Sequence, residues 1–512
     1  MRRKGWIGSL LFGVALVGVL WAKAWTGQAG VDEAETLPPV QIPAAASYHA
    51  DVRVDMKDHI VTGTLAVRFV PQDDRAYFHL YPNVFQEKAD LSGENWEQVL
   101  GKQREPGSLQ ISEVRVDGQS VPVRLMGSLD TLLAVPLAGK TAAQLTEVEM
   151  RFALQVPFNN GRLSYNDHAM WLGNWLPILA VKDADGWRLD PYSAIGDPFY
   201  SEMANYHLRV RLEDSYQLAS SGIESVAVVT QTRPKRQTIY EVDAWNVRDF
   251  ALVVMDDSYR QQSGTVGDAV VRTWSQEGDD PAAANRLHQA AMQSLSYYGE
   301  QFGRYPYQEY DVVKTGGFFG GMEYPSIVFI QDEFFGRSDA VAEAIVAHET
   351  AHQWFYGLVG NDEVREAWLD ESLTDYATMA YLQSVDPNRA RGYIRLRLGQ
   401  AEAAKEYAGR GLAVWQSLAR FPNWKSYTEL VYGRGAAMWW TLREAWGAER
   451  LHHLLRKYVQ ENQYAQASGQ DVIELLSQAA GADATPFIDF WLKLKLEQAE
   501  AAEAWVQKGK HE

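Results

Sequence analysis

Apolar residues alternate with polar ones in short runs from Tyr48 to about residue 255, and after about Gly264 the texture turns helical, with long stretches that hold few breakers. That change of pattern limits the fold more than any other feature, because a pattern that buries one face of a strand cannot bury one face of a helix. From Tyr48 onward, Val52, Val54 and Met56 alternate with polar residues, and Val61, Leu65, Val67 and Phe69 follow the same rule. Tyr206, Leu208, Val210 and Leu212 repeat it, with Asp117-Gly118 and Asp185-Gly186 as turn signals between short strands. The spacing predicts an antiparallel β domain over residues 48–257. Beyond about Gly264 it predicts helices over Ala282 to Gly299, Ser338 to Gly357, Glu363 to Ser384, Gly433 to Gln463 and Asp471 to Ala480. Residues 258–497 thus read as a mainly helical α/β domain. Between its first two helices KTGGFFGGMEYPSIVFI runs from glycine-rich to β-branched. Residues 498–512, rich in Ala and Glu, read as a tail.

At the N-terminus Arg2, Arg3 and Lys4 precede an uncharged run, Ile7 to Ala22, and Ala22-Lys23-Ala24 fits a small-x-small cleavage site. The run falls between a signal-peptide core and a membrane span of about 20 residues. Residues 1–24 are therefore read as either a cleaved export signal or a retained membrane anchor. Both place the chain outside the membrane, secreted or at the cell surface. Residues 25–47 mix Pro, Ala and acidic residues without period and read as a tether. A net charge of −18 with no basic stripe excludes nucleic acid as a partner. The absence of cysteine excludes disulfides, thiolate metal sites and cysteine nucleophiles.

Two of the chain's 11 histidines stand four apart in VAHETAHQWF. On a helix, His348 and His352 share one face a turn apart, and Val341, Ala344, Ile345 and Phe355 make that face otherwise apolar. Imidazoles directed into protein at this spacing are either hydrogen-bonded core histidines or two nitrogen ligands of a tetrahedral zinc. The intervening Glu349 projects to the side, where it can hold a water without ligating metal. A catalytic zinc needs a third protein ligand and an open position. Glu371, on the next expected helix with 18 residues between it and His352, supplies it. Asp375, one turn beyond, is either a partner for a histidine's free N–H or a plain surface carboxylate.

The motif HETAH followed after 18 residues by Glu371 resembles the zinc signature of the gluzincin aminopeptidases, of the aminopeptidase N and leukotriene-A hydrolase type. Gly320-Gly321-Met322-Glu323-Tyr324 stands where that family carries Gly-x-Met-Glu-Asn, and Tyr432 stands at its catalytic tyrosine, followed by x-Arg-Gly. The resemblance spans residues 48 to 495. It implies a saddle-like β domain followed by a thermolysin-like catalytic domain, with one Zn²⁺ held by His348, His352 and Glu371. It further implies Glu349 as general base, Tyr432 as oxyanion donor, and Glu323 binding the free α-ammonium of a peptide. Gly320, Gly321 and Met322 would lie along the substrate backbone. Many members add a large helical C-terminal domain, and this chain stops near the expected end of the catalytic domain, which implies a substrate channel either more open or differently closed. Tyr324 replaces the family's Asn, and no second amine-binding residue is legible in the β half. The activity implied is a zinc aminopeptidase. A relaxed or endo-acting zinc peptidase, and a surface binding protein with weak catalysis, are the alternatives.

Overall fold

The computed structural model describes residues 44–510, except 138, 140–143, 231–235, 318–319 and 338–339. Residues 1–24 and most of the tether lie outside the described residues. Among the described residues no helix is long and apolar enough to cross a membrane.

Strict alternation produces the expected strands. Ala46–Asp55 buries Tyr48, Val52 and Val54, and its partner Ile60–Phe69 buries Val61, Leu65 and Val67. These belong to an eight-stranded sheet running Ile223–Thr230, Gln237–Val247, Ala204–Glu213, Ala46–Asp55, Ile60–Phe69, Thr146–Gln155, Ser108–Val116, Gln119–Ser120. One pairing departs from the antiparallel expectation: Ala46–Asp55 runs parallel to Ala204–Glu213, with Tyr48 opposite Tyr206 and the two rings stacked at 4.6 Å. Alternation reports which face is buried and is blind to strand direction. Two four-stranded sheets and a two-stranded one, Lys182–Asp183 with Gly186–Trp187, complete this half among the described residues.

A second, five-stranded sheet begins at Tyr259 and runs Tyr259–Val266, Ala269–Gln276, Glu309–Thr315, Ile327–Gln331, Gly321–Met322. The helix Pro281–Phe302 links two of its parallel strands, and the two-residue strand Gly321–Met322 forms an antiparallel edge. The helices that follow differ from expectation at their ends. Gly447, at a φ of 89°, divides the segment expected as one helix into Gly435–Trp446 and Ala448–Asn462. The helix expected to reach Gly357 is Ala340–Ala351, after which Tyr356 takes a φ of 136° and the chain turns back. Ala367 separates Glu363–Glu366 from Trp368–Val385.

Two segments gained structure that patterning had not suggested. Pro387–Ala403 is a helix capped by Asp386, whose carboxylate accepts from the amides of Asn388 and Arg389. The expected tail is a packed helix, Ala499–Gly509. Trp505 stacks on Phe487 at 4.7 Å and donates its indole N–H to the Ala482 carbonyl, so an Ala/Glu-rich segment is fixed by one buried aromatic.

Arg248 ties the sheets to the helices. It is fully buried, and its guanidinium donates to the carbonyls of Ser201, Tyr356 and Ala465, each at 3.0 Å. Three backbone acceptors from distant parts of the chain thus share one cation, the arrangement in which a buried charge is tolerated.

Candidate metal centre

Ala-rich Ala340–Ala351 is a strong helix former, and its buried side packs on Pro281–Phe302 and Trp368–Val385. His348 lies within it. His352 follows its last residue and stays in register because its amide donates to the His348 carbonyl at 3.3 Å. The expected spacing of one turn is therefore retained at the frayed end. The sharp reversal after it brings the Phe355 carbonyl to 3.0 Å from Nδ1 of His352, with the Thr374 hydroxyl at 3.2 Å. A carbonyl only accepts, so Nδ1 carries the proton and Nε2 offers its lone pair. Nδ1 of His348 lies 3.5 Å from the Asp375 carboxylate, which selects the same tautomer.

The two Nε2 atoms converge at 3.2 Å, and Oε2 of Glu371 lies 3.3 Å from one and 3.4 Å from the other. Glu371 sits in the first turn of Trp368–Val385, buried against the histidine helix. His348, His352 and Glu371 present donor atoms within 4.8 Å of one another. Among the described residues, Oε2 of Glu371 has no hydrogen-bond partner of proper geometry although it is buried, and the same holds for Oε2 of Glu349. Orphaned buried carboxylate oxygens beside two converging imidazoles fit a divalent cation of the zinc type. The local charge balance agrees. Burial pushes the Glu371 carboxyl up, yet the two imidazoles hold it well below the usual carboxylate range. Burial should lower His348, but Asp375 and Glu371 raise it to about 9. This pocket favours positive charge.

Asp375, left open as a surface group by the sequence, is fully buried. It pairs with Arg397, whose Nε lies 2.6 Å away and whose Nη2 donates to it at 3.1 Å, and it accepts from the Tyr393 hydroxyl while facing His348. Asp375→Asn should therefore weaken metal affinity by about 10–100-fold, measured by competition with a chromogenic chelator, with the fold retained.

Glu349 is buried and its carboxyl is pushed up to about 7, chiefly by burial. It lies against the edge strand. A Cβ on Gly321 would meet the Glu349 carboxylate at 2.3 Å, so this position needs glycine for the two to coexist. Gly320, at a φ of 82°, supplies the left-handed turn into the strand. Glu323 follows two residues later, buried, with its carboxylate within 4.8 Å of donor atoms of Glu349 and His352. Burial and then the nearby Asp197 raise the Glu323 carboxyl well above its usual range. Met322, the second residue of that strand, is buried. Tyr324 points away from the cleft into the β half, where its hydroxyl donates to Asn174 at 2.7 Å. The phenol is thereby unavailable to a ligand at the metal.

Tyr432 lies on a π-helical turn, Thr428–Arg434, a distortion that recurs at functional sites. Its hydroxyl donates to Oε1 of Glu371 at 2.5 Å, and the Arg397 guanidinium lies 5.4 Å from its ring centroid.

His348, Glu349, His352, Glu371, Gly321, Met322, Glu323 and Tyr432 line one cavity of about 430 Å³, while Gly320, Tyr324 and Asp375 stand outside its lining; Asp197, Gln98 and Arg397 line it too. None of the three was singled out from sequence. Asp197 reaches the cavity from the β half, held at 2.7 Å by Arg162, which is itself buried. Its only local signal is Gly196-Asp197-Pro198, which reads as an ordinary turn.

Residues 287–491 match the peptidase family M1 domain. Aminopeptidase N of Lactococcus lactis subsp. lactis is 29% identical over 180 residues, covering 34% of this chain and 21% of that protein. Putative aminopeptidase-2 of Caenorhabditis elegans is 22% identical over 434 residues, covering 78% of this chain and 21% of that protein. The chain thus matches only about a fifth of the length of these relatives. A mutant M1 zinc metallopeptidase from Deinococcus radiodurans has a similar fold, with a TM-score of 0.56, 16% identity, and coverage of 90% of this chain and 93% of that one.

Proposed function

We propose that this chain, a member of the gluzincin aminopeptidase N family, is a zinc-dependent aminopeptidase that hydrolyses N-terminal residues from peptides. The observation that carries the reading is the convergence of His348, His352 and Glu371 in a cavity that Glu349, Glu323 and Asp197 also line. Zinc at this position would supply Lewis-acid polarisation of a carbonyl and lower the pKa of water toward ~7.

This chain's own residues do the rest. Glu349 accepts the proton of the attacking water, and its raised pKa suits later return of that proton to the leaving amine. The Tyr432 hydroxyl donates to the oxyanion that develops on the scissile carbonyl. Glu323 and Asp197 hold the peptide's α-ammonium by charge-assisted hydrogen bonds. Asp197 thus supplies the amine contact from the β half that was not legible in sequence. Gly321–Met322 is the edge of its sheet among the described residues, where an extended backbone can pair. The cationic start and apolar run of residues 2–22 support an exported protein, either secreted or held at the membrane.

An aminoacyl chromogenic amide with a free amine should be cleaved at least about 100-fold faster, by kcat/KM, than its N-acetylated twin, because acetylation removes the charge that Glu323 and Asp197 bind. Equal cleavage of both would replace the exopeptidase reading with an endo-acting or relaxed one.

A further inference from the structure

The catalytic cavity is not the end of the cleft. A second cavity of about 390 Å³ lies between the helices Pro281–Phe302, Ala340–Ala351, Trp368–Val385 and Pro387–Ala403. It shares Val341, Tyr393 and Leu396 with the metal cavity, so the two adjoin along these three side chains. Val341 and Leu396 stand 50% and 54% exposed at this junction, and Val385, 53% exposed, stands at the far wall. Three large aliphatic side chains along these adjoining cavities are more than scattered surface exposure.

The charged groups at the rim are paired. Arg389 lies 3.0 Å and Arg286 3.7 Å from the Glu343 carboxylate, and Asp386 is turned to the helix backbone it caps. The floor, with Leu382 and Ala390, is apolar.

We propose that this second cavity is a substrate subsite that takes a bulky apolar side chain from the downstream part of the peptide whose N-terminus lies at the metal centre; the proposal rests on the peptidase reading. Distance along the histidine helix sets which residue arrives there. Val341 precedes His348 by seven residues, about 10 Å of helix axis, and an extended peptide covers about 3.3–3.6 Å per residue. The occupant is therefore the third or fourth residue after the scissile bond. Short peptides leave the cavity empty, and longer ones with an apolar residue at that position gain its burial.

Gly392 provides the test. It lines the second cavity and not the metal cavity, and a Cβ there would meet nothing within 4 Å among the described residues, so Gly392→Phe fills the space without a clash with them. Peptides sharing one N-terminal residue and extended one residue at a time, with Gly or Leu at each downstream position, are compared by kcat/KM with a free aminoacyl amide. In the parent protein Leu in place of Gly at the third or fourth downstream position should raise kcat/KM about tenfold. Gly392→Phe should abolish that gain and cleave the aminoacyl amide at the parent rate. An unchanged Leu preference in Gly392→Phe, or an equal fall on amide and long peptide, overturns the subsite. Calorimetric binding of the same peptides to Glu349→Gln protein, with and without Gly392→Phe, reads the subsite apart from turnover. Absence of turnover on every substrate would sink the peptidase reading alone. Equal affinity for Gly- and Leu-bearing peptides would sink the subsite.

Discussion

Glu349→Gln is expected to lower kcat on a free-amine aminoacyl amide by about 10²–10⁴-fold while leaving metal content unchanged. Glutamine has the shape of glutamate, so it can lie against Gly321 as the native side chain does. What it loses is the ability to accept a proton. The buried carboxyl, raised to about 7, is matched to that task at neutral pH, since a base works best when its pKa lies near the operating pH. Glu349 stands outside the trio of His348, His352 and Glu371, although its carboxylate is near His352. The paired readout separates two roles. A fall in kcat with full metal occupancy identifies a base. A parallel loss of metal would make Glu349 a ligand and displace Glu371 from that place.

Tyr432→Phe should cost about 10²–10³ in kcat, the usual consequence of removing one oxyanion donor. The ring would stay where it is, because Arg397 and Tyr427 hold its faces at 5.4 and 5.6 Å between centres. The hydroxyl now donates to Glu371, which leaves a competing role open to measurement. If the phenol only orients a metal-binding carboxylate, Tyr432→Phe weakens metal affinity and restores most of its activity when zinc is added in excess. If it serves the oxyanion, excess zinc changes nothing. The second outcome is the expected one.

The parts of this molecule that could be read from the sequence are those governed by short-range periodicity. The His348–His352 pair was legible because four residues on a helix fix a direction, and Glu371 because a second helix could return a carboxylate to it. The burial of Tyr48, Val52 and Val54 followed from alternation, but the parallel pairing with residues 204–213 did not, since period carries no strand direction. Helix ends went wrong wherever a tertiary contact decided them. The Phe355 carbonyl caps the imidazole of His352 rather than extending the helix, and Gly447 breaks what its neighbours would continue. The helix Pro387–Ala403 carried a readable start in Asp386-Pro387, and its weakly apolar, arginine-rich face concealed it. Asp197 was out of reach for a different reason. Its distance from Glu323 exists only once the two halves are folded together, and no local pattern encodes it.

Metal titration of the purified chain puts the three-ligand site itself at risk. Protein stripped with a chelator is reconstituted with zinc, and hydrolysis of the free-amine amide is followed against bound metal. Activity should rise in proportion to occupancy and level off at one ion per chain, and Glu371→Ala should bind zinc far more weakly over the same range. Full activity in protein that holds no zinc would contradict it.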